Sequence, residues 1–409
     1  MVYGRSLSDI GMAVDVERLR RERIEKAKNS AKKFNLECLL CFRPENIRYL
    51  TIGPHYAFYR YVFFPIKDQP TLFDAGMTEW AYRISFRWLK TKHSIPMPEG
   101  LIFNEQAYNR QIEKFVQQIK AELKEYSLSK EPIGIDVYHP AIIRAMEKEG
   151  INLSTNGAKV MVDARKTKTK DEIELLRIAH SIVEGCFEEA KMVIKPGVTE
   201  RQVWAAIVRK AFDLGAEAVY GGLVCSGPHT WPNANVITDR IIRPGDIVFI
   251  DIYDLSYFGY RTCYYRTFCC GKPTQKQEEA WARVRDWLWD SIKIIKPGIT
   301  TKDIVEKWPK AEEFGYPSEE ASCLAQWGHG IGLTLYEPPM ISRIWSLDYP
   351  EKIEEGMVIA LETIGPTGEK TPEYPYGQGV RIEEVIAITE SGYDLLTRWP
   401  VDKITACEF

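Results

Sequence analysis

The chain has 409 residues, of which 45% are hydrophobic, so it is long enough for two or three domains with sizeable cores. The net charge is −3, with acidic and basic residues interspersed; there is no basic stripe, so nucleic acid is not an expected partner. No apolar run approaches the ~18 residues of a membrane span, and residues 1–14 lack the pattern of a signal peptide. We therefore expect a cytoplasmic protein without a membrane partner.

The first third of the chain predicts an α/β domain of its own. A charged helix is predicted over 16–34 and a strand over 36–42. A strand pair (61–65 and 70–74) follows around a turn at 67–69, then a helix over 108–126 and a strand over 133–137. The polar segment 164–170 precedes a long predicted helix. We place the domain boundary there, which gives an N-terminal domain of residues 1–163 and a second domain of residues 164–409.

The nine cysteines do not predict a disulfide framework, because their number is odd and their spacing is irregular. Cys38 and Cys41 have the spacing of a metal or redox pair, but they lie in the apolar strand predicted over 36–42. Two residues separated by three positions point to opposite faces of a strand. A buried strand is therefore the favoured interpretation.

The second domain contains an internal repeat. The string Ile-Lys-Pro-Gly-Val/Ile-Thr ends at Thr199 and again at Thr300, each time between two predicted helices. The Pro-Gly pair is suited to ending one helix, and each threonine is placed to cap the next, with Gln202 or Asp303 three residues later. The copies are about a hundred residues apart, which is too far for a solenoid. A duplicated α/β half is the better interpretation, and two halves that face each other form a cleft.

Between the two copies, the segments 246–255 and 259–268 read as the strands of one hairpin. A turn centred near Tyr257 would put Asp251 opposite Cys263. Opposite residues in an antiparallel pair have Cβ atoms about 5 Å apart, so the carboxylate and the thiol could share a metal ion or a proton.

Three later strings carry polar groups among apolar neighbours. His329 stands in a Gly-His-Gly string, and Glu362 and Glu383 stand in strands predicted over 360–364 and 380–388. A carboxylate in an apolar strand is costly unless it is paired or bound to a metal. Each string alone has a plain structural explanation. Together with Asp251, the three residues favour one clustered site.

These strings resemble the pita-bread superfamily, which includes creatinase, aminopeptidase P, prolidase and a dimethylsulfoniopropionate (DMSP) lyase. The motifs that carry the resemblance are 225–228, 244–251, 264–268, 328–332, 355–358 and 380–383. The resemblance implies an α/β (α+β) fold, with an N-terminal creatinase-like α/β domain followed by a duplicated pita-bread domain. The strings at 46–49 and 226–228 are most similar to the DMSP-lyase branch.

The resemblance also implies a metal site. The five ligands of the family's metalloenzymes would fall on Asp251, Cys263, His329, Glu362 and Glu383. A thiolate suits zinc or iron better than two hard manganese ions. We therefore expect one divalent transition metal, zinc or iron, or else no metal.

The chain departs from the family pattern at several positions. Cys263 stands where the family has a bridging Asp, and Ala234 and Tyr336 stand where its peptidases have imidazoles. Leu335 stands where the lyase has its Asp base, and Tyr253 where the lyase has an extra metal-site Asp. These departures weaken a literal peptidase, creatinase or DMSP-lyase activity.

Three functions stay open. The favoured one is an enzyme, a hydrolase or a lyase, that cleaves a C–N or C–S bond of a small polar, cationic metabolite. The alternatives are an Xaa-Pro dipeptidase or aminopeptidase, and a non-catalytic binding protein. The candidate catalytic residues are His329, Glu383, His229 and Tyr253; for His229 an exposed loop position is the alternative. The candidate substrate-binding residues are Trp231, Tyr265, Tyr336 and Arg381. We expect a homodimer.

Overall fold

The computed structural model describes residues 13–53, 60–74, 88–94, 104–137, 140–232, 236–322, 326–370 and 377–409. Two compact units divide between Arg165 and Lys166, within the polar segment that separates the apolar patterns of the two halves. No helix in these ranges is both long enough and apolar enough to cross a membrane.

The first unit is a six-stranded sheet with helices packed on it, in the strand order β4-β3-β2-β1-β5-β6. Its helices are α1 (Val16–Lys33), α2 (Pro44–Thr51), α3 (Glu105–Glu125), α4 (Pro140–Lys148) and α5 (Asn156–Lys166). Its strands are β1 (Cys38–Cys41), β2 (Tyr61–Pro65), β3 (Thr71–Asp74), β4 (Lys90–His93), β5 (Ile133–Ile135) and β6 (Leu153–Ser154). The predicted helix at 16–34 and the predicted strand pair at 61–74 are confirmed, and β1 is buried along its whole length.

The second unit contains the remaining helices and three sheets. Its helices are α6 (Lys170–Val193), α7 (Glu200–Asp213), α8 (Gln275–Ile292), α9 (Thr301–Val305), α10 (Glu319–Ser322) and α11 (Arg343–Ser346). Its first strands are β7 (Ala218–Val219), β8 (Leu223–Ser226), β9 (Ile247–Asp251), β10 (Leu255–Tyr257), β11 (Tyr260–Arg261) and β12 (Tyr265–Cys270). The later strands are β13 (Gln326–Gly330), β14 (Glu337–Ile341), β15 (Val358–Pro366), β16 (Gly379–Ile388), β17 (Tyr393–Leu395) and β18 (Thr405–Cys407).

Both threonines of the internal repeat cap helices as predicted. The Thr199 hydroxyl accepts a hydrogen bond from the backbone amide of Gln202, and the Gln202 side chain accepts one from the backbone amide of Thr199. Thr300 and Asp303 make the same reciprocal pair at the start of α9. This capping box pairs backbone amides that would otherwise lack partners in the first turn.

Two sheets meet side by side and position the candidate site. One has the order β18-β12-β9-β8 and the other the order β14-β13-β15-β16-β17. The Thr267 hydroxyl on β12 joins them, because it donates to the carbonyl of Arg381 on β16 at 2.8 Å and accepts from the Arg381 amide at 3.0 Å. Helix α8 covers one face of β15 and β16, where apolar residues such as Leu361 and Ile382 form the core. The opposite face carries Glu362 and Glu383.

The register predicted for the hairpin is wrong. Asp251 pairs with Tyr265, not with Cys263. The turn lies at Phe258 and Gly259, which both have positive φ and join β10 to β11; two such residues in succession are typical of a tight hairpin turn. The turn is therefore later in the chain than the predicted centre at Tyr257, and the pairing moves by two residues. A shift of two leaves every side chain on its original face.

Candidate metal and catalytic site

The polar groups lie on one face of the second unit's five-stranded sheet. Glu362 on β15 pairs directly with Glu383 on β16, and Trp327 on β13 pairs with Glu362. His329 lies two residues after Trp327. Because alternate residues of a strand share a face, all four side chains lie on the face opposite α8.

Cys263 and Asp251 complete the cluster from the neighbouring sheet. Cys263 lies in the segment between β11 and β12, and Asp251 ends β9. Candidate ligand atoms of Cys263, His329 and Glu383 lie within 4.8 Å of one another, and all three residues are buried. Among the described residues, this is the group of histidine, cysteine and acidic side chains with the geometry to hold a metal ion.

Two of the carboxylates lack hydrogen bonds of ordinary geometry. All four side-chain oxygen atoms of Asp251 and Glu383 are buried without a hydrogen-bond partner of ordinary geometry. Burial raises the pKa of Asp251 well above its usual value, more than the opposing effect of the Arg381 charge. Burial also raises the pKa of Glu383, and the charges of Glu362 and Asp251 add to that increase. Buried carboxylates in this state are costly unless a cation compensates them.

Burial holds His329 as a neutral ring. Its Nδ1 lies 2.9 Å from the carbonyl oxygen of Gly330. Because a carbonyl oxygen only accepts, Nδ1 carries the proton and Nε2 is the atom able to bind a metal. Burial lowers the pKa of His329 to about 4. The ring of Tyr336 packs against the imidazole with ring centroids 4.6 Å apart, and Tyr336 is itself 57% exposed.

Glu362 differs from the other two carboxylates because it is paired. Its Oε2 accepts a hydrogen bond from Arg381 at 3.0 Å, and the guanidinium lies 4.0 Å from the centre of the Tyr265 ring. Burial raises the pKa of Glu362 and the Arg381 charge lowers it. Arg381 and Tyr265, both predicted to bind substrate, are buried and in contact with each other. Arg381 therefore contacts both Glu362 and Tyr265, and its guanidinium occupies one face of the Tyr265 ring.

The donor set has the chemistry to bind a divalent metal. It offers one sulfur from Cys263, one nitrogen from His329 and carboxylate oxygens from Glu383, with Asp251 and Glu362 beside them. Sulfur and nitrogen donors in a buried site of this kind suit zinc, with iron as the next candidate. The unpartnered oxygens are the observation on this chain that favours a bound cation.

The remaining predicted residues lie around this cluster. Tyr253 is half-buried and packs over Gly221; burial raises its pKa, and the charges of Asp251, Asp254 and Cys263 add to the effect. Trp231 is half-buried near Gly379, at the start of β16. Ala234 lies outside the described residues.

His229 lies in a polar network beside β8, at one edge of the four-stranded sheet. Its Nδ1 is 3.0 Å from Glu200, a fully buried carboxylate that also accepts from the backbone amides and the hydroxyls of Ser226 and Thr238. Ser226 pairs with Val248, three residues before Asp251, which is roughly 10 Å along the strand. His229 is therefore near the acidic cluster without contacting it.

Sequence reasoning missed two buried groups close to the site. Lys168 and Glu337 form an ion pair of 2.8 Å in which both side chains are almost fully buried, and the Lys168 charge helps to lower the pKa of His329. His180 is fully buried on α6, where it donates to the Leu176 carbonyl at 2.7 Å; burial lowers its pKa to about 4. Nothing local marks Lys168 or His180 in the sequence. Glu337, which lies between Tyr336 and two prolines, is the one member of these groups whose position in the sequence could have indicated a role in the site.

Comparison with known proteins agrees with this architecture. The family model described as "Metallopeptidase family M24" matches residues 174–390, which is more than half of the chain and a range that contains all five candidate ligands. The chain belongs to metallopeptidase family M24. It is 31% identical over 282 residues to an Xaa-Pro dipeptidase of Pyrococcus furiosus, an alignment that covers 68% of this chain and 76% of that protein.

Two further similarities cover most of this M24 protein. It is 24% identical over 411 residues to the dimethylsulfoniopropionate lyase DddP of Roseovarius nubinhibens, which covers 96% of this chain and 89% of the lyase. Its structure resembles the prolidase of Pyrococcus furiosus with a TM-score of 0.71 and 24% identity, over 91% of this chain and 99% of the prolidase. The fold is the predicted mixed α/β pita-bread fold, and the protein is an enzyme, a hydrolase or a lyase.

Proposed function

We propose that this M24 protein is a single-metal enzyme that cleaves a C–N or C–S bond of a small polar, cationic metabolite. The observation that carries the proposal is the convergence of Cys263, His329 and Glu383 beside the exposed ring of Tyr336. The cluster keeps a metal-binding donor set. At position 336, where the family's peptidases have a second imidazole, it has a phenol.

The metal would be held by Cys263 Sγ, His329 Nε2 and Glu383. When bound, a divalent transition metal supplies Lewis-acid polarisation of the substrate or a bound water of lowered pKa. The Gly330 carbonyl keeps the His329 tautomer fixed, and the Arg381 charge opposes the rise in the pKa of Glu362 that burial causes. Burial of the cluster excludes bulk water, which strengthens every charge interaction within it.

Other residues of this chain can move or stabilise protons and charge. Tyr253 keeps its phenolic proton at neutral pH because its pKa is raised, so it can donate a hydrogen bond to negative charge that develops on the substrate. Glu200 holds Nδ1 of His229, which leaves Nε2 free to exchange a proton with the substrate through water.

The charge of the site favours a cationic substrate. Asp251, Glu362 and Glu383 face a single guanidinium, Arg381, and the rings of Tyr336 and Tyr253 stand at the margin. The negative face of an aromatic ring attracts a cation. Similarity to DddP over nearly the whole chain supports the C–S branch of the proposal.

An Xaa-Pro dipeptidase is the second candidate. The 31% identity to the Pyrococcus furiosus dipeptidase favours it. Tyr336 argues against it, because a phenol does not replace an imidazole in substrate binding and proton transfer near neutral pH.

The test is product analysis on the metal-loaded protein. Sulfonium, guanidino and quaternary-ammonium acids are incubated with the wild type and with Glu383→Gln, and products are identified by NMR. We expect one class to be consumed by the wild type only. The matched control is Glu355→Gln, an exposed glutamate, which should retain wild-type activity. Turnover of Xaa-Pro dipeptides alone, or full activity in Glu383→Gln, would contradict the proposal.

A further inference from the structure

A tryptophan pair lies on the same sheet face as the candidate metal ligands. Trp327 precedes His329 by two residues on β13 and pairs directly with Glu362. Its side chain therefore points to the face that carries His329, Glu362 and Glu383. Trp327 is only 7% exposed, so its ring is part of the wall of the site.

Trp345 on the short helix α11 extends this wall outward. Its ring centroid lies 5.4 Å from that of Trp327 at an interplanar angle of 68°, and Trp345 is 44% exposed. An edge-to-face arrangement occupies the edge of one ring and one face of the other, and leaves the remaining ring faces outside the contact. The two indoles, named here the Trp corner, border the site beyond Glu362, whereas Tyr336 borders it at His329.

The charges around the Trp corner sum to a negative value. Glu362, Glu383 and Asp251 are opposed within the cluster by Arg381 alone. Two other cations nearby are balanced: Lys168 by Glu337 at 2.8 Å, and Arg343, which is on the same helix as Trp345, by Glu319 at 2.6 Å. A divalent metal bound through the Cys263 thiolate would leave the ionised cluster with a net charge of −1. This remaining negative charge of the metal-bound cluster attracts a cation.

Aromatic faces in a negative field are suited to methylated cations. A quaternary ammonium or sulfonium group has no N–H or O–H donor, so it cannot use the hydrogen-bonding capacity of a carboxylate directly. It is held by ring faces and by long-range charge, and indole is the strongest of the aromatic side chains in this respect.

We propose that Trp327 and Trp345 form the subsite that binds the methylated onium group of the substrate, with the negative charge of the metal-bound cluster as the countercharge. This inference rests on the proposed function and adds to it the position of the cationic group and the residues that select it. In the alternative explanation, Trp345 only covers Trp327, and its ring face takes no part in binding.

Choline and 3,3-dimethylbutan-1-ol distinguish these explanations, because they share a shape and differ in charge. Binding of each to the metal-loaded wild type, Trp345→Phe and Trp345→Leu is measured by titration calorimetry. We expect the wild type to prefer choline, Trp345→Leu to lose about tenfold in choline affinity, and Trp345→Phe to keep most of it. The control is Phe212→Leu, an exposed aromatic residue on α7, which should bind like the wild type. Equal affinity for the two probes, or unchanged choline affinity in Trp345→Leu, would overturn the subsite.

Activity measurements separate the subsite from the proposed function. If a cationic metabolite is consumed, Trp345→Leu should raise KM with little change in kcat, because the indole binds a part of the substrate that does not react. An unchanged KM would remove the subsite and leave the proposed function standing. Choline binding that depends on Trp345, in a protein that consumes no cationic compound, would support the subsite and remove the proposed function.

Discussion

We propose that Cys263 limits the number of metal ions that the cluster can hold. A carboxylate offers two oxygen atoms, one for each of two metals, whereas Cys263 offers one sulfur atom. With Glu362 engaged by Arg381, the described donors suffice for one ion at Cys263, His329 and Glu383.

Replacing this thiol with a carboxylate should therefore increase the metal content. We expect at most one equivalent of transition metal in the wild type and two in Cys263→Asp, as measured by elemental analysis after dialysis. Cys407→Ser serves as the control, because Cys407 is a buried thiol on β18, away from the cluster. Two equivalents in the wild type, with metals about 3.5 Å apart, would contradict the single-metal assignment.

His180 gives the protein a pH-dependent stability that can be measured. Its pKa is about 4 in the folded protein, below the value of about 6.5 for an unfolded chain. The unfolded chain therefore binds the extra proton first, and stability is lost as the pH falls from 6.5 to 4.

In His180→Phe this loss should be smaller by about 3 kcal/mol. The measurement is the free energy of unfolding in urea at a series of pH values between 4 and 7. His93→Asn, a change at an exposed histidine, should leave the wild-type dependence intact. Equal pH dependence in His180→Phe and the wild type would show that His180 is not buried as a neutral ring.

At the scale of elements, the capping boxes of the internal repeat should contribute independently. Thr199→Ala and Thr300→Ala each remove a cap and should each lower the free energy of unfolding by about 1 kcal/mol. The double variant should lose their sum, because the two sites share no described contact. Denaturant unfolding is the measurement, with Lys296→Ala, an exposed change in the repeat outside the cap, as the control. A loss confined to one site would mean that only one cap stabilises the native state.

These caps could be predicted from the sequence because each depends on residues three positions apart. The strands that carry His329, Glu362 and Glu383 were predictable for a similar reason, since a polar group in a long apolar run stands out. The register of the hairpin could not be predicted from the same pattern. It depends on a positive φ at Phe258, a conformation that few non-glycine residues adopt.

Hydrogen-bond and ion-pair partners that are distant in the chain could not be predicted from the sequence pattern either. The Glu200 carboxylate binds groups 26 to 38 residues away, and Lys168 pairs with a residue 169 positions later. Such contacts depend on how the sheets pack, which no local periodicity encodes. The duplication of the second unit and the homodimer remain predictions.

At the scale of the whole molecule, the chain resembles prolidase in its fold but differs from the peptidase pattern in residues of the site. We expect negligible hydrolysis of Xaa-Pro dipeptides by the metal-loaded protein, because Tyr336 stands where the peptidase pattern has a histidine. The measurement is proline release from dipeptides such as Met-Pro and Ala-Pro over a range of pH. A kcat in the ordinary enzyme range of roughly 1 to 1000 per second would make the dipeptidase the leading candidate.

The Thr267 hydroxyl, which joins β12 to β16, has a consequence for how the protein matures. Asp251 and Cys263 are contributed from one side of that junction, and His329, Glu362 and Glu383 from the other. The ligand set does not exist until the two sheets have met, so ion capture has to follow their assembly. The rate at which a refolding chain binds zinc therefore reports the rate at which its two sheets dock.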